Sequence, residues 1–108
     1  MTAEEVVARQ VEAFNAHDMD SFLAAYHPGC VISDGRGEVL MTGHDEIRAS
    51  YREGWSTRGL QVEVLGRLAL GDWVVDREHV TEKNGPDFEA IAVYRVGGGV
   101  ITSVRLLR

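Results

Sequence analysis

The second half of the chain leaves little choice of fold. From position 60 onward it reads as four strand-like segments, roughly 60–70, 73–83, 87–96 and 100–107. Gly71-Asp72, Asn84-Gly85-Pro86 and Gly97-Gly98-Gly99 punctuate them as turns. Consecutive strands joined by short turns form an antiparallel meander, and its apolar face must be covered.

The first half supplies the cover. Thr2 followed by Glu5 fits a capping box, and Val6, Val7, Gln10, Val11 and Phe14 then recur at helical spacing. Asn15-Ala16-His17-Asp18 breaks that helix. Asp18 or Asp20 can cap a second, short helix through Phe22, Leu23 and Tyr26, ended by Pro28-Gly29. Positions 30–34 and 38–41 read as a hairpin around Gly35-Arg36-Gly37. Thr42 with Asp45 opens a third helix with Ile47, Tyr51 and Trp55 on its inner face. The expected fold is α+β: helices closing one side of a curved antiparallel sheet, with a ligand-sized pocket between the layers. At 108 residues the chain is expected to be a single domain, residues 1–108.

Turn lengths predict which side chains face inward. A two-residue turn at Gly71-Asp72 pairs Leu70 with Trp73, Leu68 with Val75, Gly66 with Arg77 and Val64 with His79, and paired residues share a face. A four-residue loop around Pro86 adds Phe88, Ala90, Ala92 and Tyr94 to that face, whereas an odd-length loop would flip them. The expected inner face is then Val62, Val64, Leu68, Leu70, Val75, Ala90, Ala92 and Tyr94, with Arg77 and His79 as its polar members. The opposite face, with Asp76, Glu78 and Ile91, suits a wet surface or a subunit interface.

Charge narrows the function classes. The net charge is −6 and no basic run occurs, which argues against a nucleic-acid or anionic-membrane surface. Cys30 is the only cysteine, and the amino-terminal stretch is acidic with no apolar run, so a cytoplasmic protein is expected. The four histidines show no metal-ligand spacing, and no phosphate loop, nucleophile elbow or dinucleotide fingerprint occurs. Neither a metal nor a cofactor is expected.

The stretch VARQVEAFNAHDMDSFLAAYHPGCVISDGRGEVLMTGHDEIRASY, with the closing AIAVYRV and GVITSVRLLR, resembles the nuclear transport factor 2-like superfamily, in its ketosteroid isomerase and SnoaL-like branch. The resemblance covers nearly the whole chain. It implies a conical, cystatin-like α+β barrel, often dimeric through the outer sheet face. It also implies an aspartate base at Asp34, with Tyr26 and Tyr51 matching two tyrosines that support an oxyanion hole. This isomerase is a well-known case of paired acid–base and oxyanion groups. Here Gln10 stands for the oxyanion-hole tyrosine and Ala92 for its acidic partner, so authentic steroid isomerisation is not expected.

The expected catalytic set is Asp34, Arg77, His79 and Gln10, walled by Phe14, Tyr26, Tyr51, Trp55, Ala92 and Tyr94. Each polar member has a second reading. Asp34 is either a base raised by an apolar pocket or the cap of its own turn. Arg77 holds a ligand oxygen or forms an ion pair with Asp34 or another acid. His79 relays protons or is hydrogen-bonded in the core. Gln10 donates to a ligand or is satisfied by Tyr26 or Tyr51. Two functions remain open: cofactor-free acid–base chemistry on a small apolar carbonyl compound, or a non-catalytic dimeric ligand-binding module.

Overall fold

A computed structural model describes all 108 residues. Three helices, α1 (Ala3–Ala16), α2 (Met19–Ala24) and α3 (Gly43–Glu53), pack on a six-stranded sheet. The strands are β1 (Tyr26–Asp34), β2 (Val39–Thr42), β3 (Gln61–Leu70), β4 (Trp73–Thr81), β5 (Phe88–Gly97) and β6 (Val100–Leu107). Their order across the sheet is β2-β1-β6-β5-β4-β3. Pairing is antiparallel except between β1 and β6, which run parallel, so the sheet is mixed and not closed. No helix is long and apolar enough to cross a membrane.

The helix ends follow local chemistry. Thr2 and Glu5 form the reciprocal capping box, and His17 closes α1 in the left-handed region at φ 53°. Asp18 caps α2 by accepting from the Ser21 N–H at 3.2 Å. The second helix is shorter than the sequence predicts. It stops at Ala24, and Tyr26, Pro28 and Gly29 belong to β1, where the pairing with β6 is interrupted between Tyr26 and Val31. A proline without an N–H is tolerated at such an irregularity. Helix α3 runs on into a π-helical turn, Gly54–Arg58, that carries Trp55 and ends at Gly59 with φ 57°.

The core lies between the helices and the concave sheet face. Val6, Val7, Ala13 and Phe14 of α1 meet Phe22, Ile47, Trp55, Val74, Tyr94 and Val104. Phe22 is fully buried, with ring centroids of Tyr26 and Tyr51 each 4.9 Å away. Edge strand β3 is tied to α1 by Asn15, whose amide donates to the Val62 carbonyl and accepts from the Val62 N–H, both at 2.8 Å. That side chain occupies an edge backbone pair that would otherwise be open.

Two features overturn the expected strand parity. First, the β3–β4 register holds from Leu70↔Trp73 to Gly66↔Arg77 and then slips at Leu65, so Val64 pairs with Glu78 rather than His79. This one-residue bulge leaves Leu68 and Leu70 outward, 75% and 82% exposed. Second, Val80 pairs with Phe88, leaving residues 81 to 87 as an odd-numbered connection. The inner face of β4 is therefore Val74, Asp76, Glu78 and Val80, opposite Tyr94, Ala92, Ala90 and Phe88. Arg77 and His79 point outward. Arg77 pairs with Glu89 at 2.7 Å, and His79 lies 3.2 Å from Asp87. The inward assignments of Leu68, Leu70, Val75, Arg77 and His79 are corrected accordingly, and those of Ala90, Ala92 and Tyr94 stand.

Candidate functional site

A cavity of about 650 Å³ opens between the helices and the concave sheet face. Helix α1 contributes Gln10 and Phe14, α3 contributes Tyr51, and β1 contributes Tyr26 and Asp34. Glu78 and Val80 of β4, Ala90 and Tyr94 of β5, and Val104 and Leu106 of β6 form the opposite wall. Most of the wall is apolar, with a few polar groups converging on it, which is the usual make-up of a small-molecule site. No three His, Cys, Asp or Glu side chains converge to hold a metal ion.

The first polar group is Gln10, 5% exposed. Its amide N–H donates to the Tyr26 hydroxyl at 2.8 Å, and its Oε1 has no protein partner. A buried acceptor left unpaired is costly, and a ligand donor would relieve it. Having accepted from Gln10, the Tyr26 hydroxyl retains its own hydrogen to donate. Burial pushes the Tyr26 hydroxyl well above the usual phenol range, so it stays a neutral donor.

The second polar group is Glu78, 7% exposed. Burial, aided by the neighbouring Asp76 charge, raises its carboxyl from 4.5 to about 7, against the opposing pull of Tyr94 and Arg67. The Tyr94 hydroxyl lies a long 3.5 Å from Glu78 Oε2. Beneath Glu78, Asp76 is fully buried and held by Arg67 in a fork, Nε to Oδ1 at 2.7 Å and Nη2 to Oδ2 at 2.9 Å. Burial and the Glu78 charge also push the Tyr51 and Tyr94 hydroxyls up.

Asp34 stands on the cavity wall at the end of β1, half-buried. Its Oδ1 accepts from the backbone N–H groups of Arg36 and Glu38 at 2.8 and 3.0 Å. Asp34 thus caps its turn and borders the cavity at once.

Of the expected set, Asp34, Gln10, Phe14, Tyr26, Tyr51 and Tyr94 meet around one space. Arg77 and His79 are on the far side of the sheet. Trp55 and Ala92 lie in the core behind the wall rather than on it. The Trp55 ring stacks on His17 at 5.1 Å, 11° from parallel. Sequence reasoning missed Glu78 and Asp76, because it placed them on the outer face. A signal was present in Gly66, a glycine inside a strand pattern, which marks a bulge and a change of parity.

The chain belongs to the SnoaL-like domain family, whose sequence model matches residues 7–104. No curated protein matches it in sequence. Among solved structures, a cystatin-fold protein from Novosphingobium aromaticivorans is similar at TM-score 0.91 and 23% identity, over 100% of this chain and 99% of that one. An epoxide hydrolase of the LEH-like type from Mycobacterium tuberculosis is similar at TM-score 0.84 and 22% identity, over 97% of this chain and 80% of the other. A protein described as a ketosteroid isomerase from Kribbella flavida is similar at TM-score 0.86 and 15% identity, over 97% and 76%. At these identities the likeness establishes the fold, and one fold of this kind hosts several chemistries.

Proposed function

We propose that this domain binds a small, mostly apolar molecule carrying a carbonyl or related oxygen, and performs cofactor-free acid–base chemistry on it. Isomerisation, aldol-type cyclisation and dehydration are the reaction types that fit. The observation that carries this reading is Glu78: a buried carboxyl on the cavity wall, poised near pH 7. Glu78 takes the role of the exchanging acid–base group, and Tyr26, set by Gln10, supplies the hydrogen bond to the substrate oxygen. Asp34, at the end of β1, is the second carboxylate on the cavity wall, and its Oδ1 fixes the turn that carries Arg36. Steroid isomerisation of the authentic kind is not part of the proposal, since Gln10 and Ala92 replace the strong donors that it needs.

The test is a panel of enones, β-keto esters and β-hydroxy ketones, assayed across pH. With Glu78 as base, kcat/KM rises with pH through about 7 and then levels. Glu78→Gln is expected to lower it by about 10²–10⁴-fold, the usual worth of a positioned acid–base group. Asp34→Asn should act mainly on KM. A Glu78→Gln enzyme with an unchanged rate removes Glu78 from the mechanism. Ligand binding without turnover by either protein leaves the binding module as the function.

The outer sheet face bears on assembly. Leu68, Val75 and Val93 form one row across β3, β4 and β5. Leu70 and Trp73 follow, with the Arg95 guanidinium 5.5 Å from the Trp73 ring. We propose that this face pairs two copies of the chain. Leu68 and Leu70 are more exposed than isolated surface leucines need be, and they form a contiguous apolar row with their neighbours. Leu68→Glu should convert a dimer to a monomer in sedimentation velocity, and a wild-type monomer at high concentration would sink the idea.

A further inference from the structure

The chain carries eleven basic residues and a net charge of −6, yet three of the basic residues line this one cavity: Arg36, Arg58 and Arg108. Topology explains the convergence. Strands β1 and β6 run parallel with Asp34 beside Leu106, and Arg36 and Arg108 each lie two residues beyond that pair. Both therefore emerge at the same end of the sheet. The start of β5 arrives there too, and the Arg108 guanidinium lies 3.7 Å over the ring of Phe88, which also lines the cavity. Arg58 reaches the same rim from the π-helical turn.

The three cations are not equivalent. Arg58 is already neutralised by Glu82, with Nε to Oε1 at 2.9 Å and Nη2 to Oε2 at 2.6 Å. Arg36 and Arg108 are exposed and take part in no ion pair. The acids lining the same cavity are Asp34 and Glu78, and Glu82, already held by Arg58, also feels the Arg108 charge. Asp34 is committed through Oδ1 to the Arg36 and Glu38 backbone N–H groups. Glu78 sits deep, on the inner face of β4. The rim is thus left with two guanidinium groups above an apolar wall made by Phe88, Leu106 and Val80.

We propose that the natural ligand is amphiphilic: an apolar body inside the cavity and an anionic group, carboxylate or phosphate, held at the rim by Arg36 and Arg108. Guanidinium forks match the oxygen geometry of both anions. This rests on the reading that the cavity takes a small molecule, and it adds the charge and the orientation of that molecule. The anion fixes the outer end, so the reacting oxygen is carried inward toward Gln10, Tyr26 and Glu78. Arg36 and Arg108 are specificity residues in this scheme and touch no reacting atom.

The test compares four ten-carbon probes that differ only in the head group: decanoate, decyl phosphate, decanol and decylammonium, titrated by calorimetry against the whole chain. The two anions are expected to bind about tenfold or more tighter than decanol. Raising the salt from about 0.01 M to about 1 M should erase that advantage while leaving decanol unchanged. The double variant Arg36→Gln/Arg108→Gln should bind decanol normally and lose the anion preference. Both positions are exposed, so the fold should survive with no more than the loss of the Arg108–Phe88 stacking, and unchanged decanol binding checks this. Comparison of decanoate with decyl phosphate shows which anion the rim prefers. Decanol binding as tightly as decanoate, or a double variant that keeps the preference, overturns the inference and spares the cavity reading. Failure of all four probes to bind overturns both.

Discussion

Arg67→Met is expected to destabilise the fold by about 3–5 kcal/mol, the usual cost of leaving one member of a buried ion pair alone. Asp76 is fully buried, and both its oxygens are taken by the Arg67 fork. Without the guanidinium, a carboxylate with no access to water loses both charge-assisted hydrogen bonds. The double variant Arg67→Met/Asp76→Leu should recover most of the loss, because an apolar pair of similar volume avoids desolvation altogether. Urea midpoints of the wild type, each single variant and the double variant measure this directly. A double variant less stable than Arg67→Met would show that the strands need the ion pair itself. The same pair reaches the site, since the Asp76 charge raises the Glu78 carboxyl and the Arg67 charge opposes it.

The second large effect is a dependence of stability on pH. Burial raises Glu78 from 4.5 to about 7. Between those values the unfolded chain has released the Glu78 proton while the folded chain keeps it. The folded state binds more protons, so stability falls as pH rises. The contribution is full below pH 4.5 and gone above about 7. The gap is worth on the order of 3 kcal/mol. Glu78→Gln carries a neutral amide at every pH, so this fall should flatten, and the variant should be the more stable protein above pH 7. Denaturant unfolding at pH 5 and pH 8 for both proteins checks the sign. A wild type that gains stability across this interval would mean that Glu78 is ionised in the fold at neutral pH. The acid–base group proposed here is thus one that the fold holds at a cost, a common trade at active sites.

The elements of this fold were legible because short-range chemistry sets them. The Thr2–Glu5 box, the glycine turns and the cap of α2, which the sequence narrows to Asp18 or Asp20, act within a few residues. The α1 side of the site was legible for the same reason, since helical spacing alone puts Gln10 and Phe14 on the buried face. The β4 side was not. Strand parity has period two, so a single unforeseen residue exchanges one face for the other. The Leu65 slip and the odd connection of residues 81 to 87 each do this once. Their result was to offer Arg77 and His79 in place of Asp76 and Glu78. The parallel contact of β1 with β6 was equally hidden, because no local pattern announces a pairing as distant in sequence as that of Asp34 with Leu106.

That contact governs the order in which the protein can be made. Strand β6 leaves the ribosome after the other five, yet it lies in the middle of the sheet, with β1 on one side and β5 on the other. Until it is inserted, the hairpin of β1 and β2 has no backbone partner among β3, β4 and β5. The nascent chain therefore holds two separate half-sheets with open edges. Such edges are prone to pairing with other chains, and long-range closure is slow. Folding is expected to be a late, single event, in which insertion of the last strand joins the two halves and brings Arg108 to the rim beside Arg36.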